Sequence, residues 1–250
     1  MEKSPVGRIN VLGVPVDCVN PENLEMILET LADQDKNQRI IFIDMATILH
    51  ARKKAEWMSF INDAALVLPL TKIVTNAIRF LYAKDAYPYI PLDLILQLMT
   101  ILERKRASVY LLGSRPHILQ QADLNLRGTY PGLRFVGRHA GYFNKKNQDT
   151  ILEAIRKTSP VLLITSRGLK GNEMWMYRHE QNLNANIAIY SQDCFDIFAN
   201  KKSKPSTEQV TSHNPFLTFL VKPWTFLNLF LYLYFQILLV IQRIRIRKKR

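Results

Sequence analysis

Residues 109 to 143 read VYLLGSRPHILQQADLNLRGTYPGLRFVGRHAGYF. Four apolar residues, Val109, Tyr110, Leu111 and Leu112, run into Gly113-Ser114-Arg115-Pro116 and then into a helical pattern carried by Ile118, Leu119, Ala122 and Leu126. A turn at Tyr130-Pro131-Gly132 leads to a second apolar run of Leu133, Phe135 and Val136. This order predicts strand, loop, helix and strand, the unit from which parallel sheets are built. In such sheets the loop leaving a strand's carboxyl end faces the ligand crevice, and the following helix offers free N–H groups to anions. Gly113, Ser114 and Arg115 occupy that loop and are candidate contacts to an anionic ligand. An ordinary solvated strand-to-helix turn is the alternative.

Working outward, the same alternation continues in both directions. Ile9 to Val16 reads as a first strand or hairpin and Asn20 to Leu31 as a helix, with Pro21 suited to its first turn. Ile40 to Ile43 is a short buried strand followed by a helix through Ile48, Leu49 and Ala51, with Asp44 at the junction. Leu66 to Leu68 is a strand end closed by Pro69, and Leu92 to Leu102 and Gln148 to Arg156 are helices. Val161 to Thr165 and Ile187 to Tyr190 are strands, with a helix expected over Asn172 to Asn182. Strands and helices in this order predict an α/β fold, a Rossmann-like, mostly parallel sheet with helices on both faces. There is no internal repeat, and no GxGxxG follows any predicted strand, which disfavours a dinucleotide-binding protein.

The 250 residues suffice for one α/β domain over residues 1–200 and an appendage. Residues 201–214 are polar, include Pro205 and read as a linker. Residues 215–250 form an apolar helical tail with a basic end, and no charge occurs from Pro223 to Gln242, close to the roughly 20 residues that span a bilayer core. The net charge is +13, and residues 201–250 hold ten Lys/Arg against Glu208 alone. The basicity follows an apolar run and is not interleaved with stacking aromatics on a folded surface, so membrane lipid is the expected partner and nucleic acid is not. Trp224 suits the headgroup boundary, and Arg243, Arg245, Arg247, Lys248, Lys249 and Arg250 would be drawn to anionic lipid. A spanning or re-entrant helix, an interfacial helix and a core helix all remain open for the tail, where Thr225, Asn228, Tyr232 and Gln236 share one face. No signal peptide is evident in MEKSPVGRINVLGVPVD, which places the bulk of the chain in the cytoplasm. Cys18 and Cys194 lie outside any CxxC spacing, so neither a disulfide framework nor a metal site is indicated, and no cofactor is expected.

In their order and spacing, LLGSRP, YPGLRFVG and HAGYF resemble the WecG/TagA/CpsF family of bacterial glycosyltransferases, and the likeness runs from about residue 9 to about residue 225. The resemblance implies transfer of an N-acetylmannosamine-like hexose from a UDP-sugar donor to a polyprenyl-diphosphate-linked acceptor, during cell-surface polysaccharide synthesis. It also implies work at the cytoplasmic face of the bacterial plasma membrane, and leaves a homo-oligomer open. The family's T-x-N segment falls on Phe42 and Asp44, which makes Asp44 either a substrate contact or a helix N-cap. The family's L-P-D-G segment, whose aspartate is the proposed general base, reads Leu68-Pro69-Leu70-Thr71. Leucine cannot take a proton, so base catalysis is either lost or supplied by another group: Asp44 and Asp63 are the nearest carboxylates in sequence, Thr71 could only orient a hydroxyl, and Asp44 and Thr71 are weak catalytic candidates. About where the family has an arginine ahead of its T-G-S-D-L segment stands Pro88, whereas Asp93 and Leu94 match.

Gly113-Ser114-Arg115-Pro116 stands for G-G-K-P, and Arg115 could serve a diphosphate by paired hydrogen bonds. The V-G-x-G-x-P-K-Q-E-x-W segment becomes Thr165 to Trp175 and assigns Gly168, Asn172 and Glu173 to substrate binding, Asn172 replacing the glutamine. The later G-V-G-G-x-F-D segment becomes Tyr190 to Asp196, where larger side chains replace glycines that let backbone approach a nucleotide. Residues that set the fold match the family better than those that set the chemistry. A catalytically inactive relative acting as a membrane-bound interaction protein is therefore the rival reading.

Overall fold

The computed structural model describes residues 7–34, 37–211 and 226–248. Its central sheet has six strands in the order β4-β3-β8-β7-β5-β6, where β3 is Gln38–Ile43, β4 Leu66–Pro69, β5 Ser108–Leu112, β6 Arg134–His139, β7 Leu162–Thr165 and β8 Ile187–Tyr190. The pairings of β3 with β8, β8 with β7, β7 with β5 and β5 with β6 are all parallel. Flanked by helices, this is the expected Rossmann-like α/β architecture. The strands from β5 and β7 are buried throughout, as a parallel sheet covered on both faces requires.

The chain divides into two compact units, one of residues 1–23, 41–90 and 205–250, the other of 24–40 and 91–204. The first unit begins with an antiparallel hairpin, β1 (Gly7–Val11) and β2 (Val14–Cys18). Its two-residue turn, Leu12-Gly13, has positive φ at both positions (54° and 93°), the geometry whose twist matches paired strands. Asp17 on β2 is fully buried and accepts from Arg8 Nε and Nη2 at 2.8 Å each and from the Val67 N–H at 2.7 Å, which ties the hairpin to β4. Helices α2 (Met45–Ala51), α3 (Ala55–Asn62) and α4 (Lys72–Tyr82) follow, and α4 buries Val74, Ala77, Ile78 and Leu81 on one face.

The second unit holds most of α1 (Pro21–Ala32), then α5 (Pro91–Arg104), α6 (Pro116–Thr129), α7 (Gln148–Thr158), α8 (Met174–Arg178) and α9 (Cys194–Phe198). Leu112, Ile151, Ile155, Leu163, Trp175 and Ala188 belong to one buried cluster here. The helix expected over Asn172 to Asn182 is two short pieces, α8 and a 3₁₀ turn at Glu180–Asn182. Positive φ at Gly171 (91°) and Asn172 (50°) delays its start. Its end is set by the Trp175 carbonyl, which receives the His179 N–H at 3.2 Å and His179 Nδ1 at 2.7 Å.

In the segment expected to be a linker, α10 (Thr207–Thr211) forms and buries Thr211. Ser206 and Gln209 cap it reciprocally: the Gln209 N–H donates to Ser206 Oγ at 3.2 Å and the Ser206 N–H to Gln209 Oε1 at 3.0 Å. Residues 212–214, Trp224, Thr225, Lys249 and Arg250, all named in the sequence reading, lie outside the described residues.

The apolar tail is helical from Phe226 to Lys248 (α11), and Leu227–Lys248 is long and apolar enough to cross a membrane by length and composition. One face packs within the first unit: Phe235 and Leu239 are buried, and Gln242 reaches the hairpin. Gln242 Nε2 donates to the Asn10 carbonyl at 2.9 Å, while its Oε1 accepts from the Leu12 N–H at 2.8 Å. The Arg243 guanidinium lies 4.2 Å from the Phe80 ring centroid of α4. The opposite face leaves Leu227, Phe230, Leu233, Ile237, Val240 and Ile244 exposed.

Candidate functional site

In the second unit, four loops leave the carboxyl ends of β5, β6, β7 and β8, and backbone hydrogen bonds stitch them together. The Gly113 N–H donates to the His139 carbonyl at 3.0 Å, the Ser114 N–H to Arg167 at 2.7 Å, the Gly141 N–H to Ser114 at 2.8 Å and the Tyr142 N–H to Gly168 at 2.7 Å. The Ser166 and Ser191 N–H groups extend the ladder to the Leu112 and Thr165 carbonyls at 3.0 and 2.9 Å.

Two glycines permit this closeness. A Cβ on Gly113 (φ 134°) would meet the Ser166 backbone at 2.9 Å, and one on Gly168 (φ 97°) would meet the Tyr142 ring at 2.8 Å. Gly113 and Ser114 are thus buried stitching residues, whereas Arg115 is exposed at the N-cap of α6 and makes no capping bond.

Beside the stitched loops lies a cavity of about 430 Å³ lined by Tyr142, Phe143, Lys145, Gln148, Arg167, Gly168, Leu169, Lys170 and Asn172. Three cations and no carboxylate line it. Gly168 and Asn172, both expected from the sequence, meet there. Tyr142 (φ 58°) is held outward by the glycines around it and is largely exposed, which supplies a ring face at the mouth. Phe143 stacks edge-on against His139 and Trp175, at ring centroid separations of 5.8 and 6.2 Å, so that wall is rigid. His139 Nδ1 is spent on the Ala140 carbonyl at 2.7 Å.

Arg167 connects the cavity to the loop after β8. Its Nε donates to the Gln192 carbonyl at 3.3 Å, where Ser166 Oγ also donates at 2.7 Å. Its guanidinium pairs with Asp193 and lies 3.5 Å from Asp196. Tyr190 stands behind this group with a buried hydroxyl that has no hydrogen-bond partner among the described residues. Burial pushes its ionisation up, the nearby Glu173 and Cys194 push it further, and Arg167 opposes them. Tyr190 is therefore a neutral hydroxyl within electrostatic reach of Glu173, Arg167 and Tyr142. Burial likewise pushes the Cys194 thiol up to about 12.

Of the remaining substrate-binding and catalytic candidates, Glu173 lies in the second unit at the N-cap of α8 and is not part of the cavity lining, and Asp44 and Thr71 lie in the first unit. Asp44 caps α2: one carboxylate oxygen accepts from both the N–H and the hydroxyl of Thr47 at 2.8 Å. The Leu70 N–H donates to the Ile43 carbonyl at 2.8 Å, and Thr71 begins α4 with a buried Oγ that lacks a partner among the described residues. No group of three His, Cys, Asp or Glu residues that could hold a metal occurs among the described residues.

Sequence reasoning passed over Lys145, Gln148, Arg167 and Lys170. Lys145 falls in GRHAGYFNKK, which spans the end of β6 and the loop after it, and Arg167 and Lys170 fall in SRGLKGN after β7; these stretches show basic, glycine-punctuated loops but not that they meet, and Gln148 lies outside both.

The chain is similar over 205 residues, at 23% identity, to an N-acetylglucosaminyldiphosphoundecaprenol N-acetyl-beta-D-mannosaminyltransferase of Staphylococcus aureus strain NCTC 8325 / PS 47. The proteins of the same name in strains COL and MRSA252 match to the same degree, each alignment covering 81% of this chain and 80% of the relative. The model of the glycosyl transferase WecG/TagA/CpsF family matches residues 9–249, nearly the whole length. This match makes the chain a member of the WecG/TagA/CpsF family of glycosyl transferases.

Proposed function

We propose that the cavity bounded by Tyr142, Lys145, Arg167 and Lys170 takes the diphosphate of a UDP-sugar, and that the enzyme transfers an N-acetylmannosamine-like hexose to a polyprenyl-diphosphate-linked acceptor. The single observation that carries this reading is a cation-lined, carboxylate-free cavity at the carboxyl edge of a parallel sheet, where such folds bind nucleotides. The family assignment and the relatives, whose names specify a diphosphoundecaprenol-linked acceptor, support the same chemistry.

In the transfer, an acceptor hydroxyl oxygen attacks the anomeric carbon as the bond from that carbon to the β-phosphate oxygen breaks. Charge grows on the departing diphosphate, and cations at the cavity such as Lys145, Arg167 and Lys170 lower the barrier by meeting it there. Asn172 offers an amide to the sugar or phosphate, and exposed Arg115 is a further diphosphate contact. The hydroxyl proton must leave by a route other than residue 70, because Leu70 has no basic atom; Thr71 can orient a hydroxyl but cannot hold its proton.

The acceptor's lipid puts the work at the membrane, which we place at its cytoplasmic face in cell-surface polysaccharide synthesis. With one face fixed by Phe235, Leu239 and Gln242, α11 reads as lying in the interface with Leu227, Phe230, Ile237 and Ile244 toward the acyl chains and exposed Arg245, Arg247 and Lys248 toward anionic headgroups.

Transfer or hydrolysis assays over a panel of UDP-sugars, comparing wild type with Arg115→Ala and Lys170→Ala, test the site. No UDP-sugar binding at millimolar concentration contradicts it. Ile237→Glu with Ile244→Glu tests attachment without undocking the helix, and unchanged sedimentation with anionic vesicles contradicts that role.

A further inference from the structure

Among the cations lining the cavity, Lys145 and Lys170 make no ion pair with the described residues, whereas Arg167 is engaged. Its guanidinium pairs with Asp193 and faces Asp196 at 3.5 Å, while its Nε is anchored on the Gln192 carbonyl at 3.3 Å. Asp193 is in turn held from another side by Lys202. The pair joins the loop after β7 to the loop after β8, and Asp193 occupies one of the positions where the sequence replaces family glycines. We propose that Asp193 is a built-in competitor for the diphosphate: it holds the cavity cation that is engaged in an ion pair, and the ligand completes its contacts by taking the Arg167 guanidinium from it. This rests on the cavity being the nucleoside-diphosphate site.

The local geometry makes such an exchange inexpensive. Arg167 changes partner by swinging its planar guanidinium as a whole about the aliphatic torsions of the side chain, and the long 3.3 Å Nε contact to the Gln192 carbonyl gives way as it moves. Asp193 keeps Lys202 when Arg167 leaves, so no carboxylate is stranded without a counter-charge. The Arg167 and Asp193 side chains are 35% and 25% exposed, although the Asp193 Oδ1 that faces Arg167 is itself covered, so the pair sits at the protein's edge and is weaker than a fully buried one. The competition raises the threshold for anions, which favours a ligand with two phosphates that can satisfy the lysines and displace the carboxylate together. Asp193 is thus a specificity-determining residue, and Lys202 sets how tightly the latch holds.

The test is equilibrium binding of UDP to the full chain by calorimetry. Asp193→Asn is expected to bind UDP about fivefold more tightly than wild type, the scale of one half-exposed ion pair. In an Arg167→Ala background the same change should give no gain, as a double-mutant cycle requires of a coupled pair. Lys202→Ala, a surface change that leaves Asp193 to Arg167, should weaken UDP binding about threefold. Equal or weaker binding by Asp193→Asn, a gain that persists without Arg167, or tighter binding by Lys202→Ala overturns the proposal. Should wild type bind UDP and lose affinity in Lys170→Ala while Asp193→Asn shows no gain, the latch falls and the cavity reading stands. Absence of UDP binding in wild type and Asp193→Asn alike removes both.

Discussion

The two units carry opposite chemistry in the loops that follow their strands. In the second, the loops after β5 to β8 are drawn together by glycines and backbone hydrogen bonds, and they present Lys145, Arg167, Lys170 and Asn172 around a cavity. In the first, the loops after β3 and β4 present Asp44, already engaged as a helix cap, then apolar Leu70 and the buried hydroxyl of Thr71. The difference teaches where the proposed division of labour lies: cations gather around the cavity of the second unit, whereas the corresponding loops of the first offer a capped carboxylate, an apolar side chain and a hydroxyl. A member of this family with that imbalance should bind its donor well and transfer slowly.

The sharpest way to break the comparison is to restore a carboxylate at residue 70. Leu70→Asp is expected to raise the transfer rate about 10²-fold or more, the scale of general-base catalysis, while leaving UDP affinity within about twofold. An unchanged rate would mean that another group already takes the proton. Next in size is the hairpin anchor of the first unit. Removing the fully buried Asp17 by Asp17→Ala leaves Arg8 and the Val67 N–H without their acceptor and should cost about 3 kcal/mol in urea unfolding.

Gln242→Leu, which keeps the helix apolar but removes two hydrogen bonds to the hairpin, should cost about 1–2 kcal/mol. It should leave vesicle binding unchanged, because the exposed stripe of α11 is untouched. The smallest effect separates the units by thiol chemistry. Cys194 is buried with its ionisation pushed up to about 12, so it should not react with a disulfide reagent at pH 8 in the folded protein. Cys18, half-buried and raised less, should react slowly, with the rate climbing as pH rises and thiolate forms.

Much of the fold was legible because it rests on short-range signals. The apolar run from Val109 to Leu112, the Pro116 helix start and the turn at Tyr130-Pro131-Gly132 each specify their own element, and they are found as β5, the start of α6 and the turn between α6 and β6. The helix over Asn172 to Asn182 was misjudged because its break depends on a side chain, His179, competing for the Trp175 carbonyl. Helix α10 was missed although Ser206 and Gln209 spell a capping box, since the polar composition around it masked the signal. At the site, Gly168 and Asn172 were legible through family spacing, but Arg167 was not. Its place depends on the glycine-permitted approach of three loops distant in sequence, which no local pattern encodes. Asp44 shows the converse, a matching position whose oxygen proves to be used in capping its own helix.

The central claim is that the cavity of the second unit binds a nucleoside diphosphate through its cations. Calorimetric titration of UDP into the full chain and into the Lys145→Ala, Lys170→Ala double variant tests it most directly. Saturable binding by wild type, weakened about tenfold or more in the variant, is the predicted result. Equal affinity in the two proteins, or no binding to wild type at millimolar UDP, would contradict it.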